Sequence, residues 1–192
     1  DDAVMYQSYS ALLLNVVEKS NTKRSPRPTG SQHTLPKIGV SMLFAASYAK
    51  LRKVMISICN LVMGCSGSAD VVAWFLQLSW EEGEGECGIM ALDASNAFNA
   101  MSRCEIQYCL KRFLDPGLGW VEFMFWRWNS VLTEVIWAHP ITGVTHRLFS
   151  GTGITQGGLM SSFLYAIGQA RVLSLLKDEF KEKLVSVVYA DD

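Results

Sequence analysis

A chain of 192 residues that is 49% apolar and 18% charged can bury enough side chain to offset the entropy of folding, which excludes a disordered or highly solvated polymer. The length allows one domain, or one domain with a smaller lobe. Seventeen basic against 18 acidic residues leave a formal charge of −1, so the totals lack the basic balance usual for nucleic-acid binding, although metal-binding carboxylates and an acidic loop can mask a locally basic groove.

In chain order, the apolar run Ala11-Leu12-Leu13-Leu14-Asn15-Val16-Val17 predicts a short helix, followed by an exposed, extended loop from Ser20 to Gly30 that holds Lys23, Arg24, Arg27 and two prolines. Between Ser41 and Met63, Tyr48, Leu51, Val54, Met55 and Ile58 recur with Lys50, Arg52 and Lys53 among them, the pattern of one helix with a basic edge. Its most apolar part, 54–63, is interrupted by Asn60 and falls short of the about 20 residues that span a membrane, so no membrane partner and an intracellular location, nucleus or cytoplasm, are expected. Gly64-Cys65-Ser66-Gly67-Ser68 breaks the pattern, and Ser68 or Asp70 is placed to cap a second helix through Leu78.

The acidic run Glu81-Glu82-Gly83-Glu84-Gly85-Glu86 reads as a solvated turn, and Cys87 to Leu92 as a short buried strand ending at Asp93. Ile106, Cys109, Leu110 and Phe113 stand at i, i+3, i+4 and i+7, which predicts a helix over 103–113 that ends at Asp115-Pro116-Gly117. The aromatic-rich stretch 120–137 reads as a helix running into a strand, His139 to Gly143 as a hairpin turn, and Val144 to Phe149 as the return strand. Gly151 to Gly158 is a loop, 159–176 a helix, and 184–189 a strand that delivers Asp191 and Asp192. The five cysteines show no CxxC or Cys…His ligand spacing, so neither a disulfide framework nor a zinc site is indicated. A start at Asp1 and a stop on two carboxylates behind an apolar run suggest a piece of a longer open reading frame.

Two strands that end in carboxylates carry the chemistry. If the strand before Asp93 and the strand before Asp191 and Asp192 are neighbours, three acids converge, and such a cluster repels itself unless divalent cations neutralise it. Dense oxygen ligands suit Mg²⁺ or Mn²⁺. Two such ions about 3.5–4 Å apart serve an in-line displacement at phosphorus.

Asp93-Ala94-Ser95-Asn96-Ala97-Phe98-Asn99, Thr155-Gln156-Gly157 and Tyr189-Ala190-Asp191-Asp192 resemble, in the right order, the three consecutive palm motifs of reverse transcriptases, in the form found in non-LTR, LINE-like retrotransposons. Each motif is weak alone; the ordered set is specific. The resemblance implies an α+β fold: an antiparallel palm sheet carrying the acids, backed by helices around 103–113 and 159–176, with a partial fingers subdomain over 1–80, a palm subdomain over 81–192 and no thumb. It implies an RNA-directed DNA polymerase, a nucleotidyltransferase acting on an RNA template, a DNA primer and dNTPs with two Mg²⁺ (or Mn²⁺) ions per site, alongside other domains of a parent polyprotein.

Position by position, the resemblance makes Asp93, Asp191 and Asp192 the catalytic metal ligands. Ala94 and Ser95 would offer backbone N–H groups to the triphosphate. Phe98 would lie under the sugar and reject a ribose 2′-OH, an ordinary core phenylalanine being the lesser alternative. Gln156 and Gly157 would lie against the nascent base pair, and Tyr189 beside the primer end. A basic residue of the fingers would meet the triphosphate; Lys37 in Leu35-Pro36-Lys37-Ile38-Gly39 and Arg27 in Arg27-Pro28-Thr29-Gly30 compete for that role, with Lys50 and Arg52 also in reach.

The pattern is broken after Gln156-Gly157. The family continues with Asp-Pro-Leu and a later proline; here Gly158-Leu159-Met160-Ser161-Ser162-Phe163 follows, which loosens the loop. A degenerate or truncated retroelement remnant that keeps the fold without activity is therefore an alternative. An RNA-directed RNA polymerase shares the carboxylate logic, but Phe98 and Ala190 stand against it, and a metal-dependent nuclease has only the acids in its favour.

Overall fold

The computed structural model describes residues 12–18, 26–31, 34–58, 60, 67–83, 88, 94, 96–129, 133–139 and 141–181, with the backbone alone for 12–31. They form strands β1 (Leu12–Glu18) and β2 (Pro26–Ser31), helices α1 (Thr34–Ser57), α2 (Ser68–Glu82), α3 (Ala97–Ala100) and α4 (Arg103–Phe113), a 3₁₀ turn (Pro116–Leu118), α5 (Gly119–Asn129), strands β3 (Thr133–Ala138) and β4 (Thr145–Ser150), and α6 (Ser161–Phe180). The class is α+β, with helix predominating. No described helix is long and apolar enough to cross a membrane.

The first expectation fails at β1. The predicted helix over 11–17 is a strand, paired antiparallel with β2 and parallel with β3 in a four-stranded sheet of order β2-β1-β3-β4. Seven residues are too few for periodicity to separate a buried strand from a helix, and Val16-Val17 favours the strand once two neighbours can take its backbone groups. The predicted loop before Gly30 likewise becomes strand β2 from Pro26. Its two prolines are compatible because β2 is an edge of the described sheet: Pro26 faces Glu18 and Pro28 faces Val16, while among the described residues no strand pairs with its other side. The β1–β3 pairing joins the N-terminal 80 residues to the 81–192 half through Leu12–Val135 and Leu13–Ile136. The described sheet is thus mixed rather than purely antiparallel. Of the two strands expected to carry the acids, 87–92 and 184–189, only Gly88 is described, exposed and outside regular structure; the rest lie outside the described residues.

The core lies between the helices. Val40, Leu51, Val54 and Met55 of α1, Leu118 of the 3₁₀ turn, Val121 and Phe125 of α5, and the N-terminal half of α6 are buried together with one face of α4. Helix α4 follows its pattern residue for residue: Ile106, Cys109 and Leu110 are buried and Phe113 packs at the margin. Its start is set by Ser102, whose hydroxyl accepts from the Glu105 N–H at 3.3 Å, and its ends carry complementary charge, Glu105 in the first turn and Lys111 and Arg112 in the last. Asp115 then turns the chain by accepting from the Gly117 N–H at 2.6 Å, with Pro116 at the first helical position. Helix α1 begins and ends earlier than its pattern suggested, and α2 extends to Glu82 with Gly67, rather than Ser68 or Asp70, before its first turn.

Helix α6 is the central post. From Phe163 to Ala170 it is buried on almost every side, which a helix apolar all round permits. Gly168 lets α4 close on it: a Cβ there would stand 3.0 Å from Ile106 Cγ1 and 3.2 Å from Met101 Sδ. The same contact shelters Cys109, whose Sγ lies 3.8 Å from both the Glu105 carboxylate and the Gly168 carbonyl. At the rim, Arg171 pairs with Glu105 at 3.3 Å and lies over the Tyr108 ring, an exposed arrangement of small energetic weight.

Burial pushes the Cys109 thiol above its ordinary range, the neighbouring Glu105 carboxylate adds to this, and Arg171 offsets part of it. The unfolded chain then releases this proton first, so it binds fewer protons than the native state above the ordinary thiol pKa of about 8.5. The contribution is fully present below that pH and declines as pH rises towards the higher folded value. We expect denaturant midpoints to fall above about pH 8.5, and the fall to shrink in Cys109→Ala after correction for its lower starting stability. At pH 8, alkylation followed by peptide mapping should mark exposed Cys104 while Cys109 stays unmodified until unfolding; equal native-state labelling would contradict the buried-thiol account.

Candidate functional site

The described part of the first motif is a tight turn. Ala94 is exposed and outside regular structure, Asn96 takes a left-handed backbone at φ 56°, and one turn of helix, α3, follows. Asparagine tolerates that region better than most residues. The Asn99 amide donates to Asn96 Oδ1 at 2.9 Å and the Ala100 N–H to the Asn96 carbonyl at 3.0 Å, so both asparagines of the motif hold its shape.

The second motif belongs to the loop between β4 and α6, and this loop is tied to the turn. Gly153 donates its N–H to the Met101 carbonyl at 3.0 Å, and Ile154 donates to the Phe98 carbonyl at 2.8 Å. Gly153 has φ 68°, and a Cβ there would overlap the backbone carbonyl of Asn99, so only glycine fits the approach. Ile154, 2% exposed, plugs the junction. One residue later the Thr155 carbonyl accepts from the Ser161 hydroxyl at 2.5 Å, and the Gly158 N–H reaches back to the same carbonyl at 3.2 Å. That turn needs φ 92° at Gly157, which gives this glycine a backbone reason beyond close approach to a substrate.

Phe98 is half-buried, its ring tilted 33° against Tyr165 with centroids 5.0 Å apart. Tyr165 is buried in α6, so the ring of the first motif rests on the helix that follows the second. Arg103, the first residue of α4, reaches across to the same loop. Its Nε donates to the Gly153 carbonyl at 2.8 Å, Nη1 to the Ser150 carbonyl at 2.9 Å, and Nη2 to the Ser150 hydroxyl at 3.3 Å and the Thr152 carbonyl at 3.2 Å. Burial lowers its pKa from the ordinary guanidinium value; the group remains a cation, because an arginine is not deprotonated in a protein.

Among the residues singled out in the sequence, the structure therefore joins Phe98 with the loop carrying Gln156 and Gly157. Lys37 is exposed in the first turn of α1, and among the described residues no hydrogen bond or ion pair links it to the turn or the loop. Arg27 is described by its backbone, opposite Val17 in the sheet. Asp93, Ser95, Tyr189, Asp191 and Asp192 lie outside the described residues; the three acids expected from the sequence to bind metal are carboxylates, the hard oxygen donors that Mg²⁺ and Mn²⁺ take.

Arg103, Gly153, Ser161 and Tyr165 were not anticipated as parts of this arrangement. Arg103 carries no sequence signal beyond opening a helix. Gly153 had a faint one, since Gly-Thr-Gly before an apolar residue permits a positive φ. No family model matches the sequence, and no curated protein is significantly similar to it.

Proposed function

We propose that the chain is the fingers-and-palm portion of an RNA-directed DNA polymerase of a non-LTR retroelement. The observation that carries the reading is the backbone pairing of Gly153 and Ile154 with Met101 and Phe98. It brings the turn that follows Asp93 against the loop that leads into Gln156-Gly157, as a nucleotide held between two palm motifs would need. The ordered motifs ending in Tyr189-Ala190-Asp191-Asp192 supply the rest of the support.

In this reading a primer 3′-OH attacks the α-phosphate of a dNTP and pyrophosphate leaves. Mg²⁺ held by Asp93, Asp191 and Asp192 supplies, when bound, neutralisation of the charge that develops on the phosphate oxygens. Phe98 stands under the sugar, propped by Tyr165, and Gln156 offers amide hydrogen bonds to the base pair. Lys37 and Arg27 remain the two candidates for the triphosphate.

The test is extension of a DNA primer on an RNA template with Mg²⁺, comparing dNTPs with rNTPs. The wild type should favour dNTPs, and Phe98→Val should raise relative ribonucleotide use by about tenfold or more through removal of a steric clash. Equal use of both nucleotide types by the wild type would sink the assignment. The substitution of Gly158-Leu159-Met160 for the family's Asp-Pro-Leu favours a second reading, an inactive remnant that keeps the fold. Because a fingers-and-palm piece without a thumb is expected to be inactive alone, both assays are run on the parent polymerase, where template–primer binding without incorporation of either nucleotide type would select the second reading.

A further inference from the structure

We infer that Arg103 is a positioning residue for the incoming nucleotide, acting through the loop that carries Gln156 and Gly157; this rests on the polymerase reading above. Among the described residues its guanidinium donates four hydrogen bonds to the end of β4 and the loop that follows it: to Ser150 through its carbonyl and hydroxyl, to the Thr152 carbonyl, and to the Gly153 carbonyl. Three of the four acceptors are backbone, so the clamp constrains the course of the chain itself. A planar fork of five donors can meet such a set at once, whereas an ammonium on a flexible stem presents three donors from a single point.

The clamp has a mechanical consequence because of what lies next in the chain. Gly153 and Ile154 are the residues whose N–H groups pair with Met101 and Phe98, and Thr155 is the residue whose carbonyl is held by Ser161. Arg103 thus holds the entry of a three-point mooring, and Ser161 its exit. Half-buried Gln156 and exposed Gly157 follow directly on these anchors, and their position relative to Phe98 is inherited from them. Arg103 sits at the head of α4, immediately after the turn of the first motif, so the same residue refers the second motif to the first. Displacing reacting or binding groups by about 1 Å can cost on the order of a hundredfold in rate, which makes an anchor outside the substrate's reach consequential.

The experiment avoids turnover. A template–primer with a dideoxy-terminated primer is bound to the protein, and the dissociation constant of the next correct dNTP is measured with Mg²⁺ present for wild type, Arg103→Lys and Arg103→Gln. Template–primer affinity and thermal midpoint are measured alongside. Loss of the clamp should weaken the correct dNTP by about tenfold, reduce its preference over a mismatched dNTP, and leave template–primer affinity within about twofold. Arg103→Lys keeps charge and most of the packing, so its folding is the safeguard should Arg103→Gln be unstable. It should nonetheless fail to rescue nucleotide affinity, which separates a geometric clamp from a simple positive charge. If the wild type selects the correct dNTP and Arg103→Lys does so equally well, the positioning role falls while the polymerase reading stands. If the wild type shows no preference for the correct dNTP, the polymerase reading falls and takes this inference with it.

Discussion

In the full-length context of the proposed polymerase, replacing Asp93 with Asn is expected to reduce primer extension by roughly three orders of magnitude or more, because it removes a charged oxygen ligand from the set proposed to hold both ions. The fold should hardly respond. A cluster of carboxylates repels itself when no cation is bound, so trading one charge for an isosteric amide leaves or slightly relieves that repulsion. The thermal midpoint without metal should stay within about 3 °C of wild type. Asp191→Asn should behave in the same way. Extension assays on a DNA primer and RNA template with Mg²⁺, paired with melting curves, give both readouts. Extension by Asp93→Asn within about tenfold of wild type would remove the acid from the site.

The second large effect is on stability. Gly153→Ala should cost about 2–4 kcal/mol, from placing an L-residue at φ 68° and from overlap of its Cβ with the Asn99 carbonyl. The neighbouring Asn99 atoms are backbone, so no rotamer change can relieve the overlap. The turn and loop must separate, breaking the Gly153–Met101 and Ile154–Phe98 hydrogen bonds. For a chain of this size the midpoint should fall by roughly 5–15 °C. Thr152→Ala next door, with an exposed side chain, should stay within about 0.5 kcal/mol and serves as the control. Denaturation of both variants in urea provides the measurement. A Gly153→Ala protein as stable as the control would mean that the two motifs are not held together as described.

These two residues differ in how they become visible. Asp93 stands out in the sequence because a carboxylate at the end of an apolar run, followed in order by later motifs that end in acids, has a chemical meaning that needs no coordinates. Gly153 does not, because what it must avoid is a carbonyl more than fifty positions earlier in the chain. Arg103 is similar. Its partners at 150–153 are chosen by the fold, and an arginine opening a helix is otherwise an ordinary solvated residue.

The same division runs through the architecture. Helix α4 was legible to the residue, since its apolar face, its Ser102 cap, its terminal charges and the Asp115-Pro116-Gly117 stop all point the same way. The hairpin of β3 and β4 was legible from the turn residues His139 to Gly143 between two strand-like runs, with the turn closing at Gly143, whose φ of 69° suits glycine. Strand β1 was not, because a seven-residue apolar run takes its conformation from its neighbours, and those neighbours, β2 and β3, are assigned by topology.

By itself the amino-acid sequence determined the local elements with strong periodicity and caps, and the ordered motifs from Asp93 to Asp192 on which the functional proposal rests. The tertiary structure alone decided that Leu12–Glu18 is a strand and that the turn after Asp93 is moored to the loop before Gln156. It also decided that Arg103 and Ser161 hold that loop from either side. The reason is physical: periodicity and capping are interactions between residues a few positions apart, whereas strand pairing, a guanidinium clamp and the absence of room for a Cβ are set by atoms that only folding brings into contact.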